Sequence, residues 1–345
     1  MKFRLQVSAS HRAKLPAAAR NTSALFPFRR TSHAETELQQ GFPAMKVAVV
    51  LNQSAGTLLG LPLDEAVQTI EAAFRRTGAE VEVHSARAEG CADAIRNAAS
   101  SDAETVVVGG GDGTILSAVN AVMPTGKTLG VLPLGTMNLL ARDLGTPLDL
   151  DAAVHAVAQG GVRPMDVAEV NGEVFLNASI LGFYPRVVQE REEQRRRHGL
   201  RKWPAMALAL VKAVHDFPLL DVHLDIGDGP RRVRTPVLAV SNNPYDEGWG
   251  PVVRRSVLDS GTLGIYVARH RSKWGLVRLL AGMALGTWQQ DGELETLHAT
   301  TLTVDSRRRH LRVANDGEVR RLTPPLVYRI RPKALKMLYP RPPEP

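Results

Sequence analysis

A chain of 345 residues, 44% apolar and 23% charged, is long enough for two globular domains and too apolar for a disordered polymer. The single cysteine, Cys91, excludes an intramolecular disulfide and any CxxC metal site. Of the net charge of +8, residues 1–44 supply +5 (seven Lys/Arg against Glu35 and Glu37), and with only 5% aromatic residues the remainder does not have the composition of a nucleic-acid binder.

Residues 1–44 are Arg-, Ser- and Ala-rich and loosely resemble a transit peptide; they are expected to form a disordered or non-native extension. From Met45 onward the pattern alternates. Strands are predicted at 46–52, 80–85, 104–110 and 128–134, and helices at 63–77, 90–100, 113–122, 137–143 and 149–159. Such alternation implies a parallel sheet covered on both faces, with the ligand crevice at the carboxyl ends of its strands. After Gly161 the texture turns to short alternating runs, at 173–180, 220–226, 232–240, 262–268, 302–305, 311–315 and 318–322, which read as an antiparallel domain. Helical stretches interrupt it: a charged one at 191–202, an apolar one at 203–214 and another at 272–285. The 203–214 run carries Lys212 and falls well short of the roughly 20 residues of a spanning helix.

The segment "VVVGGGDGTILSAV" (106–119) places four glycines in five positions between a strand and a helix. Glycines there let the backbone approach a ligand, and the helix N-terminus offers unpaired N–H groups to a phosphate. The spacing is not the dinucleotide fingerprint, because Thr114 or Leu116 stands where its third glycine should be. A relaxed P-loop match at "AVMPTGKT" (121–128) follows a helix and enters a strand, the reverse of a P-loop, which leaves Lys127 as a turn residue. A second glycine turn follows the next strand, in "LPLGTMNLLARDLG" (132–145). Farther on, "LRVANDGEVRRL" (311–322) has the Asp-Gly signature of a tight hairpin. Cys91 reads as a small helix residue, the histidines lack metal-ligand spacing, and "RRRH" (307–310) reads as an exposed turn.

Together "GGGDGT" and "PLGTMNLLAR" resemble the catalytic domain of the diacylglycerol kinase family in its bacterial lipid-kinase branch, which also includes sphingosine kinase-like enzymes. Further matches run through "LNQSAG" (51–56), "NGEVFLNASILGF" (171–183), "SNNPYDEGWG" (241–250), "LDSGTLGIYV" (258–267) and "NDGEV" (315–319), so the resemblance extends from Met45 to about Leu338. It implies an α/β plus β fold. A Rossmann-like nucleotide domain (45–163, joined by a returning segment at 326–339) precedes a β-rich lipid-substrate domain (164–325), with the active site in the cleft between them and a disordered tail at 340–345.

The same resemblance implies ATP and Mg²⁺ as cofactors. Asn52, Gly56, Gly110, Gly111, Gly113, Thr114, Thr136 and Asn138 are expected around the nucleotide, and Asp112 to act through the metal. Glu318 is expected to be the base, with Asp316 beside it. Arg142 belongs to the second motif. Two departures stand out. Gln53 replaces a proline of the first turn, and "DSG" (259–261) replaces the family's usual DDG, so Asp259 would hold a structural ion without a second carboxylate at Ser260. The implied partners are a lipid alcohol substrate, a transient membrane surface and a second copy in a homodimer, with no nucleic acid. The implied location is the cytoplasm, peripheral at the inner face of the membrane. An NAD kinase-like phosphotransferase and a non-catalytic nucleotide-binding module are the alternatives; the first lacks "PLGTMNLLAR", and intact Asp112 and Glu318 argue against the second.

Overall fold

The computed structural model describes residues 45–56, 62–189, 219–246, 253–270 and 272–341. The extension at 1–44, the helical stretches at 191–202 and 203–214, and all but the first two residues of the tail lie outside them.

The first lobe follows the expected alternation. Strands β1 (Lys46–Asn52), β2 (Glu80–Ala86), β3 (Thr105–Gly110) and β4 (Thr128–Pro133) form a parallel sheet in the order β2-β1-β3-β4. Every residue of β3 and β4 is buried, as a central parallel strand requires when helices cover both faces. Helix α1 (Leu63–Arg76) and α5 (Leu150–Ala158) pack on one face, around Phe74, Ile70 and Val154. On the other face lie α2 (Ala88–Ser100) and α3 (Asp112–Val122), around Ile95, Val119 and Val106. The short α4 (Leu139–Asp143) follows β4.

The two lobes share a strand pair. Strand β5 (Gly161–Val170) runs antiparallel to β16 (Leu326–Tyr339) along most of its length. The end of β16 joins β4 in parallel, at Lys336 and Met337, while its beginning pairs with β13 (Thr301–Asp305) in the second lobe. The register shifts between Arg331 and Leu335, where Lys333 takes a positive φ of 53°. The first sheet therefore continues into the second lobe through β13, β8 (Leu220–Asp225) and β9 (Arg231–Thr235), and β5 also pairs with the short β6 (Glu173–Phe175). A second, antiparallel sheet in the order β12-β11-β10-β7-β14-β15 packs against it, from β7 (Ala178–Gly182), β10 (Val237–Asn242), β11 (Leu263–Ala268), β12 (Leu294–Ala299), β14 (Leu311–Asn315) and β15 (Glu318–Leu322). Val240, Ile265, Val313 and Leu181 fill the core of this sandwich. Helix α6 (Lys273–Leu285) is capped by Ser272, whose hydroxyl accepts the Gly275 N–H at 3.1 Å.

Two predicted strands turn out to be corners. The run 232–240 is two strands in different sheets, β9 and β10, because Pro236 has no N–H to donate to a ladder. The run 173–180 breaks at Leu176 and Asn177, whose N–H groups bond to a side chain from a distant hairpin. No helix among the described residues is long and apolar enough to cross a membrane.

Candidate active site

Strand β3 ends at Gly110 and α3 begins at Asp112, so the glycine turn is nearly all backbone. The first-turn N–H groups of α3 have no intrahelical acceptor and no side chain caps them. Most of these glycines are required by the protein itself. A Cβ on Gly109 would meet Leu134 at 2.7 Å, and one on Gly110 would meet the Thr114 side chain at 2.6 Å. A Cβ on Gly135, in the second turn, would meet the Gly111 Cα at 2.4 Å, so the two turns pack backbone against backbone. Gly113 and Gly56 differ, because a Cβ on either meets nothing within 4 Å. They are the glycines whose missing side chains leave open space.

Side chains lace these turns together. The Asn52 amide donates to Thr114 Oγ1 at 3.0 Å, joining the end of β1 to α3, and its Oδ1 accepts the Ser54 N–H at 3.0 Å. Gln53 donates to Ser85 Oγ at 3.0 Å, so the residue at the family's proline position makes its own tie to β2. Asn138 adopts a left-handed conformation (φ 50°) and is buried; its amide bonds both the N–H (2.8 Å) and the carbonyl (2.9 Å) of Gly135. The Asp112 carboxylate accepts the N–H groups of Asn138 (3.2 Å) and Leu139 (2.7 Å), capping α4 from the neighbouring turn. Thr136 is exposed between these anchors, and Arg142 donates to the Met137 carbonyl at 2.9 Å.

At the far side stands the β14–β15 hairpin. Asp316 (φ 47°) and Gly317 (φ 86°) occupy its two central positions, the conformation that a two-residue type I′ turn demands. Glu318 is exposed at the first position of β15, opposite Asn315, with one oxygen 3.2 Å from the Arg320 guanidinium. Asp316, expected beside it in the chemistry, instead has both oxygens committed. They accept the N–H groups of Leu176 (2.7 Å), Asn177 (2.8 Å) and Ala178 (3.1 Å), which docks the hairpin tip on the 176–178 corner. Burial lifts the Asp316 carboxyl above the ordinary range, against the pull of these three donors.

One residue that sequence reasoning passed over joins the two halves. Arg255 is 1% exposed, and its guanidinium forms an ion pair with Asp143 at the end of α4, with Nε 3.0 Å from the carboxylate. It also donates to the Leu176 carbonyl (2.6 Å) and to Asn177 Oδ1 (3.0 Å). The hydrogen bonds therefore run without a break. They lead from α3 through Asp112 to α4, through Asp143 and Arg255 to the 176–178 corner, and through Asp316 to the hairpin that carries Glu318. No local signal could have revealed this, since Arg255 and Asp143 lie 112 positions apart.

Of the two ions expected, a nucleotide-borne Mg²⁺ at Asp112 and a structural one at Asp259, the residues fit the first only. Mg²⁺ is commonly held by one or two carboxylates plus phosphate oxygens and waters; each Asp112 oxygen accepts one N–H and so keeps a lone pair, beside an uncapped helix N-terminus, which fits that. Asp259 does not fit. It is exposed, and Ser260 Oγ is engaged with Asn243 (2.9 Å) and Thr262 (3.2 Å). The buried acid nearby is Asp166, which already accepts bonds from Asn243, Gly261 and Lys333, each at 2.7 Å. Among the described residues no group of three or more His, Cys, Asp or Glu side chains could hold a metal ion.

Comparison with known proteins agrees with this two-lobed fold. The family model described as "Diacylglycerol kinase catalytic domain" matches residues 46–170, and that described as "YegS C-terminal NAD kinase beta sandwich-like domain" matches 180–339. The first lobe thus matches the diacylglycerol kinase catalytic-domain model, and the second lobe the YegS C-terminal one. A Bacillus subtilis (strain 168) protein named "Diacylglycerol kinase" is 40% identical over 108 residues, 30% of this chain and 36% of that protein. A Pseudomonas aeruginosa protein named "Probable lipid kinase YegS-like" is 38% identical over 134 residues, 38% of this chain and 44% of the relative. The matched stretches thus span less than half the length of these relatives. A crystal structure of a diacylglycerol kinase from Bacillus anthracis str. Sterne shares the fold at a TM-score of 0.64 and 20% identity, covering 86% of this chain and 98% of that one.

Proposed function

We propose that this chain is a lipid kinase that transfers the γ-phosphoryl group of ATP to the hydroxyl of a lipid alcohol. The observation that carries the reading is the unbroken line of hydrogen bonds from the α3 glycine turn to the Glu318 hairpin. Through it, a phosphate-binding helix terminus and an exposed carboxylate are held in fixed relation by buried groups.

Each residue then has a separate task. The open N–H groups at the start of α3, with space left by Gly113 and Gly56, receive the nucleotide phosphates, and the Asn52–Thr114 pair holds that wall in place. Thr136 and the Asn138-closed turn line the nucleotide beside it. Asp112 is the carboxylate that would hold Mg²⁺, whose contribution when bound is to neutralise charge on the phosphate oxygens. Glu318 takes the proton from the alcohol as its oxygen bonds to the γ-phosphorus and the bond to the bridging oxygen of ADP breaks. Asp316 and Arg320 position that base rather than share its proton. The location that follows is cytoplasmic, with transient docking on the inner face of the membrane.

The test is Glu318→Gln. Phosphoryl transfer should fall by at least about 10²-fold, the low end of what a positioned base contributes, while ATP affinity stays unchanged. Near-normal turnover would remove Glu318 from the role. The acceptor is tested with radiolabelled ATP over a panel of diacylglycerol, monoacylglycerol, sphingoid base, phosphatidylglycerol, polyprenol and NAD. NAD belongs in the panel because the C-terminal family model is described as NAD kinase β-sandwich-like. Label in NAD alone would favour that second reading, and label in no acceptor would favour a nucleotide-binding module without turnover.

A further inference from the structure

On the β-rich lobe, away from Glu318, lies a concave cavity of about 400 Å³. It is lined by Gly182, the leucines at 219, 220 and 311, and five basic side chains: Arg186, Arg308, Arg312, Arg321 and His310. No carboxylate among the described residues lines it. Arg312 and Arg321 stand directly opposite each other in the β14–β15 ladder, an arrangement that costs free energy when like charges face each other unrelieved.

The four guanidinium groups form no ion pair or hydrogen bond among the described residues. Several other arginines of the lobe are paired: Arg231 and Arg269 meet Glu295, Arg232 meets Asp221, Arg278 meets Asp291, and Arg320 meets Glu173 and Glu318. The cavity is also separate from the transfer site. Successive residues of a strand point to opposite faces, so Arg321, three positions from Glu318 on β15, lies on the other face of the hairpin.

We propose that this cavity is a second binding site, for a phosphate group. Planar guanidinium forks match phosphate oxygens bidentately, and four of them in one concavity supply more charge than a single carboxylate would balance. An extended polyanion would need a stripe rather than a cavity. The volume suits a phosphate bearing a small ester, as in a phospholipid headgroup or a soluble phosphate ester. Its position favours the headgroup. Arg186 precedes, and Leu219 directly follows, the part of the chain that reads "REEQRRRHGLRK" and then "WPAMALALVKAV", a basic stretch followed by an apolar one, the composition of a membrane-surface segment. The proposal does not rest on the transfer reaction, and binding is measured without nucleotide.

The experiment uses the full chain with two probes: vesicles of phosphatidylglycerol mixed into phosphatidylcholine, followed by sedimentation, and soluble glycerol 3-phosphate, followed by calorimetry. R312A/R321A is compared with R307A/R309A, which removes the same charge from exposed positions outside the cavity. R312A/R321A should weaken vesicle binding by about tenfold or more, the scale of two lost basic contacts at an anionic surface, and should abolish glycerol 3-phosphate binding, whereas R307A/R309A leaves both within about twofold. Loss of glycerol 3-phosphate binding with vesicle binding intact would support the site and identify the soluble ester as its source. Equal losses in the two double variants, or no loss in either, would overturn the proposal. R312K/R321K guards against misfolding: it keeps the charge, so it should retain vesicle attraction while losing the bidentate binding of glycerol 3-phosphate.

Discussion

The glycine turns of the first lobe and the arginine cavity of the second both suit phosphate, and they are built in opposite ways. The turns present backbone. Their side chains, Asp112 and Asn138, hold one turn against the other, and what faces outward is the uncapped end of α3. The cavity presents side chains, displayed on strands whose ladder would form without them. In the first region binding and folding depend on the same atoms. In the second they are separable.

The sharpest way to break that contrast is at Arg255, on which the first region's connection to the hairpin depends. Removing one partner of a buried ion pair leaves the other charged and desolvated, at a cost of about 3–5 kcal/mol. Arg255→Ala should therefore lower the urea midpoint at unchanged slope and weaken nucleotide binding with it. A variant of wild-type stability would mean that the bonds to Asp143, Leu176 and Asn177 hold nothing together. Next in size is Gly135→Ala. Its Cβ would stand 2.4 Å from the Gly111 Cα, so backbone must move, at about 1–3 kcal/mol. The loss should appear in the thermal midpoint and in nucleotide affinity together. A fall in affinity with no fall in the midpoint would contradict the claim that the turns are a packing contact.

These residues also mark how far the sequence could be read. The parallel strands were legible because β3 and β4 are short, wholly buried, mostly apolar runs each followed by a glycine turn, and the hairpin because Asp-Gly supplies two positive φ angles. Four glycines in five positions suggested a phosphate cradle, yet Gly109 and Gly110 answer to Leu134 and Thr114, and Gly111 is the backbone against which Gly135 packs. The excess of glycine is mostly a packing requirement, and only Gly113 keeps an open face. The sandwich was legible as a texture but not in its corners, because what breaks 173–180 is a carboxylate some 140 positions away. Strand β12 escaped because it is an edge strand with little buried, and β5 because its mostly buried second half does not alternate. The turn at 307–310 looked like surface. Only its placement beside Arg312 and Arg321 gives Arg308 and His310 a common cavity.

Gly113 offers a gentler test of the first region. An added methyl meets nothing in the protein, and alanine is the better helix former by about 1 kcal/mol at most. Gly113→Ala should fold as well as the wild type or slightly better, yet bind ATP more weakly, because the methyl would stand in the space proposed for the phosphates. Unchanged affinity, measured by equilibrium dialysis, would mean that this open face is not where the nucleotide lies.

The smallest expected effect belongs to the cavity, and it has the opposite sign. Arg312 and Arg321 face each other with no carboxylate of the described residues between them, so Arg321→Ala removes a repulsion of about 0.2–1 kcal/mol. Stability in low salt should rise by a few tenths of that range's upper end, and the gain should shrink as salt screens the pair. A pair kept in spite of its own repulsion is what a side-chain-built anion site requires, since the ligand supplies the missing charge. If Arg321→Ala instead destabilised the fold, independent of salt, the arginine would be part of the packing. The two regions would then be alike in the respect that separates them.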